Sequence, residues 1–186
     1  MSKLNSIGLV EVASIALGYV AQDAMLKAAD VEVILARTIC SGKFLVVVGG
    51  NVAAVQAAVD AAVPLCAGAL IEKRVIAQVH PEVFPAISMS VDMEPGKARA
   101  LGIIETFSAS SIIDVADAAV KAANVTLFRI HLAMAIGGKG FVLLTGDVAS
   151  VNAAVQAGAA IAGEEGILVS KAVIAAPSRE LFRDLF

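Results

Sequence analysis

Cysteine has the softest metal-binding chemistry in this sequence, and one of the two cysteines, Cys40, lies where a site could form. It is in a loop, residues 38–43, between two apolar runs that are predicted strands. The thiolate form of cysteine binds metals, but an iron–sulfur cluster normally takes four cysteine ligands. A lone loop cysteine is usually just a small apolar residue, so Cys40 needs thiols from elsewhere before it can hold a cluster.

The second cysteine lies on the apolar stripe of a predicted helix. The stripe follows the spacing of a helix face directed at a core, and it consists of Val52, Val55, Val59, Val63 and Cys66. Cysteine often behaves as a small buried hydrophobe, so we predict that Cys66 belongs to the core. Two cysteines so far apart do not indicate a disulfide framework.

The other candidate side chains do not form a catalytic site in the sequence. His80 and His131 have no acidic or cysteine partner at ligand spacing, and we expect them to be surface or hydrogen-bonded histidines. Glu11 and Glu105 occupy equivalent positions of an internal repeat, so we predict structural or interface contacts for them rather than a catalytic pair. No nucleophile has a base at a recognisable spacing. We therefore predict that the protein is not an enzyme.

The elements around the cysteine loop occur twice, because the chain is a tandem duplication. Residues 7–11 (IGLVE) return as residues 101–105 (LGIIE), an offset of 94 (102 minus 8). Residues 50–55 (GNVAAV) return as residues 146–151 (GDVASV), an offset of 96 (146 minus 50). The second copy has therefore gained two residues (96 minus 94), which fall in the loop equivalent to the cysteine loop, residues 134–140 (MAIGGKG).

Each copy is predicted to have the element order β-α-β-β-α-β, the ferredoxin-like arrangement, so the predicted fold class is α+β. Ser14 and Asn51 are the predicted N-caps of the helices in the first copy. Its predicted strands cover residues 7–12, 31–39, 44–48 and 70–77. A polar, turn-forming segment, residues 92–97, separates the copies. We place the first domain at residues 1–92 and the second at residues 98–186, in unpermuted order.

Composition indicates an oligomer without nucleic-acid or membrane partners. Hydrophobic residues make up 59% of the chain and charged residues only 17%, which is low for a monomer that has to solvate its whole surface. A net charge of -3 and 4% aromatic residues provide neither a basic patch nor a stacking platform for nucleic acid. No apolar run reaches the ~18–20 residues of a membrane span, and the first residues do not read as a secretory signal. We expect a cytoplasmic protein.

Several of these motifs resemble a known family. Residues 7–11, the helix segment DAMLKAA at residues 23–29 and the GDV at residues 146–148 resemble the bacterial microcompartment shell domain. Two such domains in tandem are similar to the trimeric, tandem-domain shell proteins, whose trimers mimic a hexamer. Within that group, residues 37–44 (RTICSGKF) resemble the signature of the PduT-type proteins.

The resemblance implies a homotrimeric tile of a microcompartment shell in the cytoplasm, in contact with other shell tiles. It also implies one 4Fe–4S cluster per trimer, bound on the threefold axis by Cys40 of the three subunits. Gly42 would allow close backbone approach to the cluster, and Ser41 and nearby N–H groups could donate hydrogen bonds to its sulfurs. The implied function is electron transfer across the shell or cluster delivery, with an encapsulated or cytosolic redox enzyme as a candidate partner.

The resemblance assigns two further sets of residues. Loops from the two copies are expected to line or fill the opening at the centre of the tile, through Thr38, Ile39, Ile136, Gly137 and Gly138. The tile edge, which packs against neighbouring tiles, is expected to include Lys27, Lys121 and Arg179.

Two other functions are compatible with the same residues. One is a shell tile in which the Cys40 ring is a gated pore for small metabolites without a cluster; its three thiols could also take zinc or copper. The other is a soluble trimeric ferredoxin-like sensor that binds an effector between subunits. Assembly into sheets or tubes distinguishes a tile from the sensor, and colour and iron content distinguish the two tiles.

Overall fold

The computed structural model describes residues 4–91 and 99–182, and this part of the chain contains two four-stranded sheets. The chain divides into two compact units that nearly follow the sequence repeat. The first contains the residues up to Pro81 together with Ala133–Gly138, and the second contains the others. The segment predicted to separate the domains, residues 92–97, lies outside the described residues.

The first unit consists mostly of the first sequence copy. Its strands are β1 (Ser6–Val12), β2 (Glu32–Ile39), β3 (Lys43–Gly50) and β4 (Leu70–Ala77), and its helices are α1 (Ile15–Ala28) and α2 (Val52–Ala62). The sheet is antiparallel with the strand order β2-β3-β1-β4, and both helices pack on it. Short 3-10 turns follow β2 at Cys40–Gly42 and α2 at Val63–Cys66.

The second unit repeats this arrangement. Its elements are the short helix α3 (Val83–Ile87), β5 (Ala100–Thr106), α4 (Ser111–Ala122), β6 (Thr126–Leu132), β7 (Gly140–Gly146), α5 (Val148–Glu164), β8 (Leu168–Ala175) and a 3-10 turn at Arg179–Phe182. The strand order β6-β7-β5-β8 corresponds strand for strand to the order β2-β3-β1-β4 of the first sheet. The predicted α+β fold with two β-α-β-β-α-β copies in tandem is confirmed.

Polar N-caps begin the helices at the predicted places. The Ser14 hydroxyl accepts a hydrogen bond from the Leu17 N–H at 3.4 Å, and the Asn51 side chain accepts one from the Ala54 N–H at 2.9 Å. The Asp147 carboxylate caps α5 in the same way. Each cap satisfies a backbone donor that has no partner inside its helix.

A glycine in the first strand of each copy lets a helix lie directly on the sheet. A Cβ at Gly8 would be 2.7 Å from Cγ1 of Val55 in α2, and one at Gly102 would be 2.8 Å from Cγ2 of Val155 in α5. Carbon atoms pack at ~3.5–4.0 Å, so a larger residue at either position would push the helix away. The two copies therefore share this close contact between strand and helix.

The segment that follows β4 belongs to the second unit, although the sequence placed it in the first domain. Within that unit, α3 packs against β6 and α4. Further along, Val91 packs against the buried residues Leu101, Phe128 and Leu143. Relative to the two sequence halves, the first unit therefore gains Ala133–Gly138, and the second unit gains the segment after β4.

Candidate metal centre

Cys40 begins the tight turn that joins two adjacent strands of the first sheet. The turn covers Cys40–Gly42, and its last two residues have left-handed backbones, with φ 64° at Ser41 and φ 72° at Gly42. A left-handed residue other than glycine costs ~1–2 kcal/mol, so Ser41 is held there by the strands on either side. A Cβ at Gly42 would meet nothing within 4 Å, so glycine serves the backbone conformation at this position and not the space around it.

The equivalent loop of the second copy, Ala133–Gly138, lies in the same compact unit as Cys40. Four of its residues are left-handed, with φ 56° at Ala133, 63° at Ala135, 68° at Gly137 and 86° at Gly138. The Cys40 thiol donates a hydrogen bond to the Ala133 carbonyl oxygen, with Sγ and O 2.8 Å apart. The loop with the two-residue gain is therefore folded against the cysteine.

Backbone N–H groups of this loop also act on the sulfur. The hydrogen bond from Gly137 is the largest influence, and it lowers the pKa of the Cys40 thiol. Partial burial works in the opposite direction, and further backbone hydrogen bonds from Gly138, Ile136 and Ala135 lower the pKa again. The net pKa is below the ordinary value because N–H donors stabilise the thiolate. Since the thiolate is the form that binds metals, these donors favour metal binding.

A lysine immediately after each loop pairs with a glutamate in the first strand of the same copy. Lys43 Nζ lies 2.9 Å from Glu11 Oε1, and Lys139 Nζ lies 2.9 Å from Glu105 Oε1. Lys139 is also 6.0 Å from the centre of the Phe107 ring, within the range of a cation–π contact. The prediction that the two glutamates make structural contacts is confirmed.

One chain cannot supply a complete metal site from the described residues. Among them, no group of three or more His, Cys, Asp or Glu side chains could hold a metal ion. Cys40 is half-buried and next to backbone N–H donors, an environment that suits a thiolate ligand. The residues present therefore fit a thiolate-ligated centre to which each of several chains contributes Cys40.

The remaining loop residues predicted to surround an opening differ in exposure. Thr38 and Gly137 are exposed, and Ile136 and Gly138 are half-buried. Ser41, which was predicted to donate to a cluster, is exposed as well. Ile39 is only 7% exposed, so in the single chain its side chain is in the interior and not at the surface.

Cys66 is a core residue, as predicted. It is fully buried, and its Sγ lies 3.6 Å from the Leu17 carbonyl oxygen. Burial raises the pKa of this thiol, which keeps it protonated and inert. The two cysteines are thus opposites, since the surroundings of Cys40 favour the thiolate and those of Cys66 oppose it.

The predicted edge residues lie on other elements. Lys27 on α1 pairs with Asp23 at 2.6 Å, and Lys121 on α4 pairs with Asp117 at 2.6 Å. Arg179 begins the last 3-10 turn and is exposed. Each lysine is therefore held by an aspartate one helical turn earlier, and their role at a tile edge stays a prediction.

The contact between the second-copy loop and Cys40 is a feature of the candidate site that the sequence did not predict. The loop was expected near the same opening, but not as a set of donors to the sulfur of its own chain. The signal available in the sequence was the gain of two residues there, both of them accounted for by the glycine-rich stretch at Gly137 and Gly138.

Comparison with known proteins matches both copies to one family. The BMC domain family matches residues 6–79 and residues 100–177. None of the described helices is long and apolar enough to cross a lipid bilayer.

Relatives of known description agree with that match. The chain is 46% identical over 182 residues to the bacterial microcompartment shell protein PduT of Citrobacter freundii, covering 97% of each chain. It is 44% identical over 83 residues to the bacterial microcompartment shell protein EutM of Salmonella typhimurium, covering 45% of this chain and 84% of that protein.

Solved structures agree as well. A crystal structure of a microcompartment protein from Desulfitobacterium hafniense superimposes with a TM-score of 0.93 at 49% identity, covering 97% of this chain and 99% of the other. A fused permuted hexameric shell protein of the RMM microcompartment superimposes with a TM-score of 0.59 at 23% identity, covering 85% of this chain and 81% of that one, and it supports the fold alone.

Proposed function

Because the chain belongs to the BMC domain family, with both of its copies matched, we propose that it is a microcompartment shell tile in which Cys40 holds a redox metal centre. That it is a shell tile rests on its likeness to PduT along nearly the whole chain. The shell to which such a tile belongs lies within the bacterial cytoplasm. Since its relatives are structural shell proteins, we assign it a structural role with a redox accessory rather than catalysis.

The observation that carries the metal centre is the environment of Cys40. Its sulfur lies in the turn Cys40–Gly42, against the loop Ala133–Gly138 whose backbone N–H groups favour the thiolate. Three chains, joined as a homotrimer, would contribute three such thiolates. These would hold a 4Fe–4S cluster through three of its irons and leave the fourth iron for an exogenous ligand.

When bound, such a cluster supplies one-electron redox chemistry at a potential set by hydrogen bonds to its sulfurs and by solvent exposure. The residues of this chain act on the Cys40 sulfur that would bind the cluster. The N–H groups of Gly137 and its neighbours offset negative charge on the Cys40 sulfur, which raises the potential of a thiolate-ligated centre. The Lys43–Glu11 ion pair holds the end of the turn in place. The proposed role is electron transfer across the shell, or cluster delivery, with a redox enzyme as partner.

The test is an absorption and EPR spectrum of protein purified anaerobically. We expect a brown protein with about one cluster per three chains. Cys40→Ser should lose the cluster entirely, and Cys66→Ser, the matched control, should keep it because Cys66 is buried in the core. If the wild-type protein stays colourless and free of iron after anaerobic reconstitution, the redox proposal is wrong.

An iron-free result would leave the shell role intact. The exposed residues next to Cys40, Thr38 and Gly137, would then belong to a pore for small metabolites whose rim carries a thiol. The alternative of a soluble sensor is not retained, because the chain belongs to a family of shell proteins.

A further inference from the structure

The two units differ in charge at the end of the sheet that lies farthest from the Cys40 turn. In the first unit, β2 runs from Glu32 to Ile39, immediately before Cys40. A strand of this length places Glu32 ~25 Å from that turn, at ~3.3 Å per residue. In the second unit, β6 leads in the same way from Thr126 toward the loop Ala133–Gly138. In a tile that has Cys40 on its axis, these far ends of the sheets lie toward the rim, and we call them the outer ends.

The outer end of the first unit is acidic. Asp30 and Glu32 lie where β2 begins, and both are exposed. The other chain segments at this end bring uncharged residues, since Asn5 precedes β1 and Asn51 follows β3. None of the ion pairs among the described residues involves Asp30 or Glu32. Two carboxylates are therefore presented to the rim.

The equivalent positions of the second unit have lost these acids and gained a cation. Three residue pairs at an offset of 94 show the change, namely Asn5 and Arg99, Asp30 and Asn124, and Glu32 and Thr126. A fourth pair, Asn51 and Asp147 at an offset of 96, changes in the opposite direction. These four positions therefore hold two carboxylates in the first copy, but one cation and one carboxylate in the second. Arg179 and Glu180 add one charge of each sign to the second unit.

Arg99 lines a polar hollow at the outer end of the second unit, about 330 Å³ in volume. Asn124, Thr126 and Asp147 line it as well. The Asp147 carboxylate already accepts hydrogen bonds from the Ser150 N–H at 2.9 Å and from the Ser150 hydroxyl at 2.7 Å. By contrast, no ion pair within residues 4–91 and 99–182 involves Arg99. The hollow therefore offers a guanidinium and neutral hydrogen-bonding side chains, a combination that suits a carboxylate from outside.

We propose that the outer end of the first copy in one tile docks against the outer end of the second copy in a neighbouring tile of the same protein. The Asp30 carboxylate enters the hollow and accepts hydrogen bonds from the Arg99 guanidinium, and Glu32 lies beside it. Two first-copy ends, in contrast, repel each other through their four carboxylates. Unlike ends are therefore the pairing that the charges favour.

The symmetry of the proposed tile supports this pairing. In a trimer that mimics a hexamer, the ends of the two copies alternate around the rim, so opposite sides of the tile carry different copies. A sheet whose tiles all share one orientation then brings unlike ends together at every contact. The inference rests on the proposed shell tile and supplies the residues that join it to its neighbours, but it does not depend on a bound metal.

The test is the protein concentration at which sheets form, followed by light scattering and negative-stain electron microscopy. Arg99→Glu places a carboxylate in the hollow. Since each trimer makes several such contacts in a sheet, we expect the threshold concentration to rise at least ~tenfold. The double variant Asp30→Lys with Glu32→Lys should raise it from the other side of the contact. Below the threshold, every variant should keep the mass of three 18.9 kDa chains.

The matched control is Lys73→Glu, which changes the net charge by as much as Arg99→Glu does. Lys73 is exposed but lies within β4, opposite Val10 and away from the outer end, so this variant should assemble like the wild type. Cys40→Ser should also form sheets at the wild-type concentration. Loss of the cluster and loss of the docking contact are therefore separate results.

Reversing both sides in one chain tests the pairing itself. The triple variant with Asp30→Lys, Glu32→Lys and Arg99→Glu exchanges the charges of the two ends and should recover the wild-type threshold. The inference is overturned if either charge reversal leaves the threshold unchanged, or if the triple variant assembles no better than the variants it combines. Sheets that ignore these charges would overturn the docking contact alone, whereas a wild type that forms no sheets at any concentration would overturn the shell tile together with it.

Discussion

The two loops that join the second and third strands of each copy began as duplicates and now differ in chemistry. The first is three residues long, Cys40–Gly42, and carries a thiol. The second is longer, and its residues Ala133–Gly138 carry no ionisable side chain and contribute backbone N–H groups and a carbonyl oxygen instead. A duplicated domain can therefore divide a local environment between its copies, one supplying the thiol and the other its surroundings. A single-domain protein that repeats one loop around a ring does not have that freedom.

The cores of the copies have diverged in a compensated way. In the first copy a Cβ at Gly18 would be 2.3 Å from the Phe44 ring. At this contact α1 therefore has a small residue and β3 a large one. In the second copy the sizes are reversed, since a Cβ at Gly140 would be 2.7 Å from Cγ2 of Ile112. Each pair fills the same helix–strand contact with one large and one small residue. The fold therefore constrains the sum of the two volumes and not either residue.

The largest expected effect comes from breaking that compensation. Gly18→Ile puts the second-copy residue opposite Phe44, and we expect the protein to be destabilised by at least the ~1–3 kcal/mol of an overpacked core. Adding Phe44→Gly restores the second-copy pair and should recover most of the loss. The free energy of unfolding, from urea titration followed by circular dichroism, measures both. If the free-energy costs of Gly18→Ile and Phe44→Gly simply add in the double variant, the two residues do not compensate each other.

The next effect compares the two ion pairs that follow the loops. The Glu11 side chain is 8% exposed and the Glu105 side chain 32% exposed. Lys43→Ala leaves a nearly buried carboxylate without its cation, which should cost about 1–3 kcal/mol. Lys139→Ala should cost less than about 1 kcal/mol, as is typical of more exposed pairs. Equal urea midpoints for the two variants would show that burial does not separate the pairs.

Much of the fold was predictable from the sequence because its signals are local. The caps Ser14 and Asn51 and the core position of Cys66 follow from spacing along a few turns of chain, and the repeat follows from matching short segments of the two halves. The contact of the Ala133–Gly138 loop with Cys40 joins residues 93 apart, and left-handed alanines such as Ala133 and Ala135 have no sequence signature.

The comparison of the two loops can be sharpened by removing the two residues that the second loop has gained. Deleting Gly137 and Gly138 should raise the pKa of Cys40 toward its ordinary value, because the Gly137 hydrogen bond is the chief cause that lowers it. At pH values below the ordinary thiol pKa, Cys40 of the metal-free variant should then react more slowly with iodoacetamide than Cys40 of the metal-free wild type, because less of it is thiolate. The difference in rate should vanish at higher pH, where both thiols are deprotonated. Buried Cys66 provides the internal control. Identical pH profiles would mean that the second loop does not act on the thiol.

The smallest expected effect concerns the caps that begin the second helix of each copy, Asn51 in the first and Asp147 in the second. Hydrogen bonds from the Ser150 side chain and backbone lower the pKa of Asp147, whereas Asn51 does not titrate. A carboxyl whose pKa is lowered by folding stabilises the protein above its unfolded-state pKa, and the stabilisation is lost as the pH falls through the folded-state pKa. Asp147→Asn, which copies the first domain, should therefore flatten the acid side of the melting-temperature profile slightly and leave neutral pH nearly unchanged. Asn51→Asp, the reciprocal change, should steepen the same side. If both variants follow the wild-type profile in acid, the caps contribute equally in either form, and the difference between Asn51 and Asp147 carries no consequence for stability.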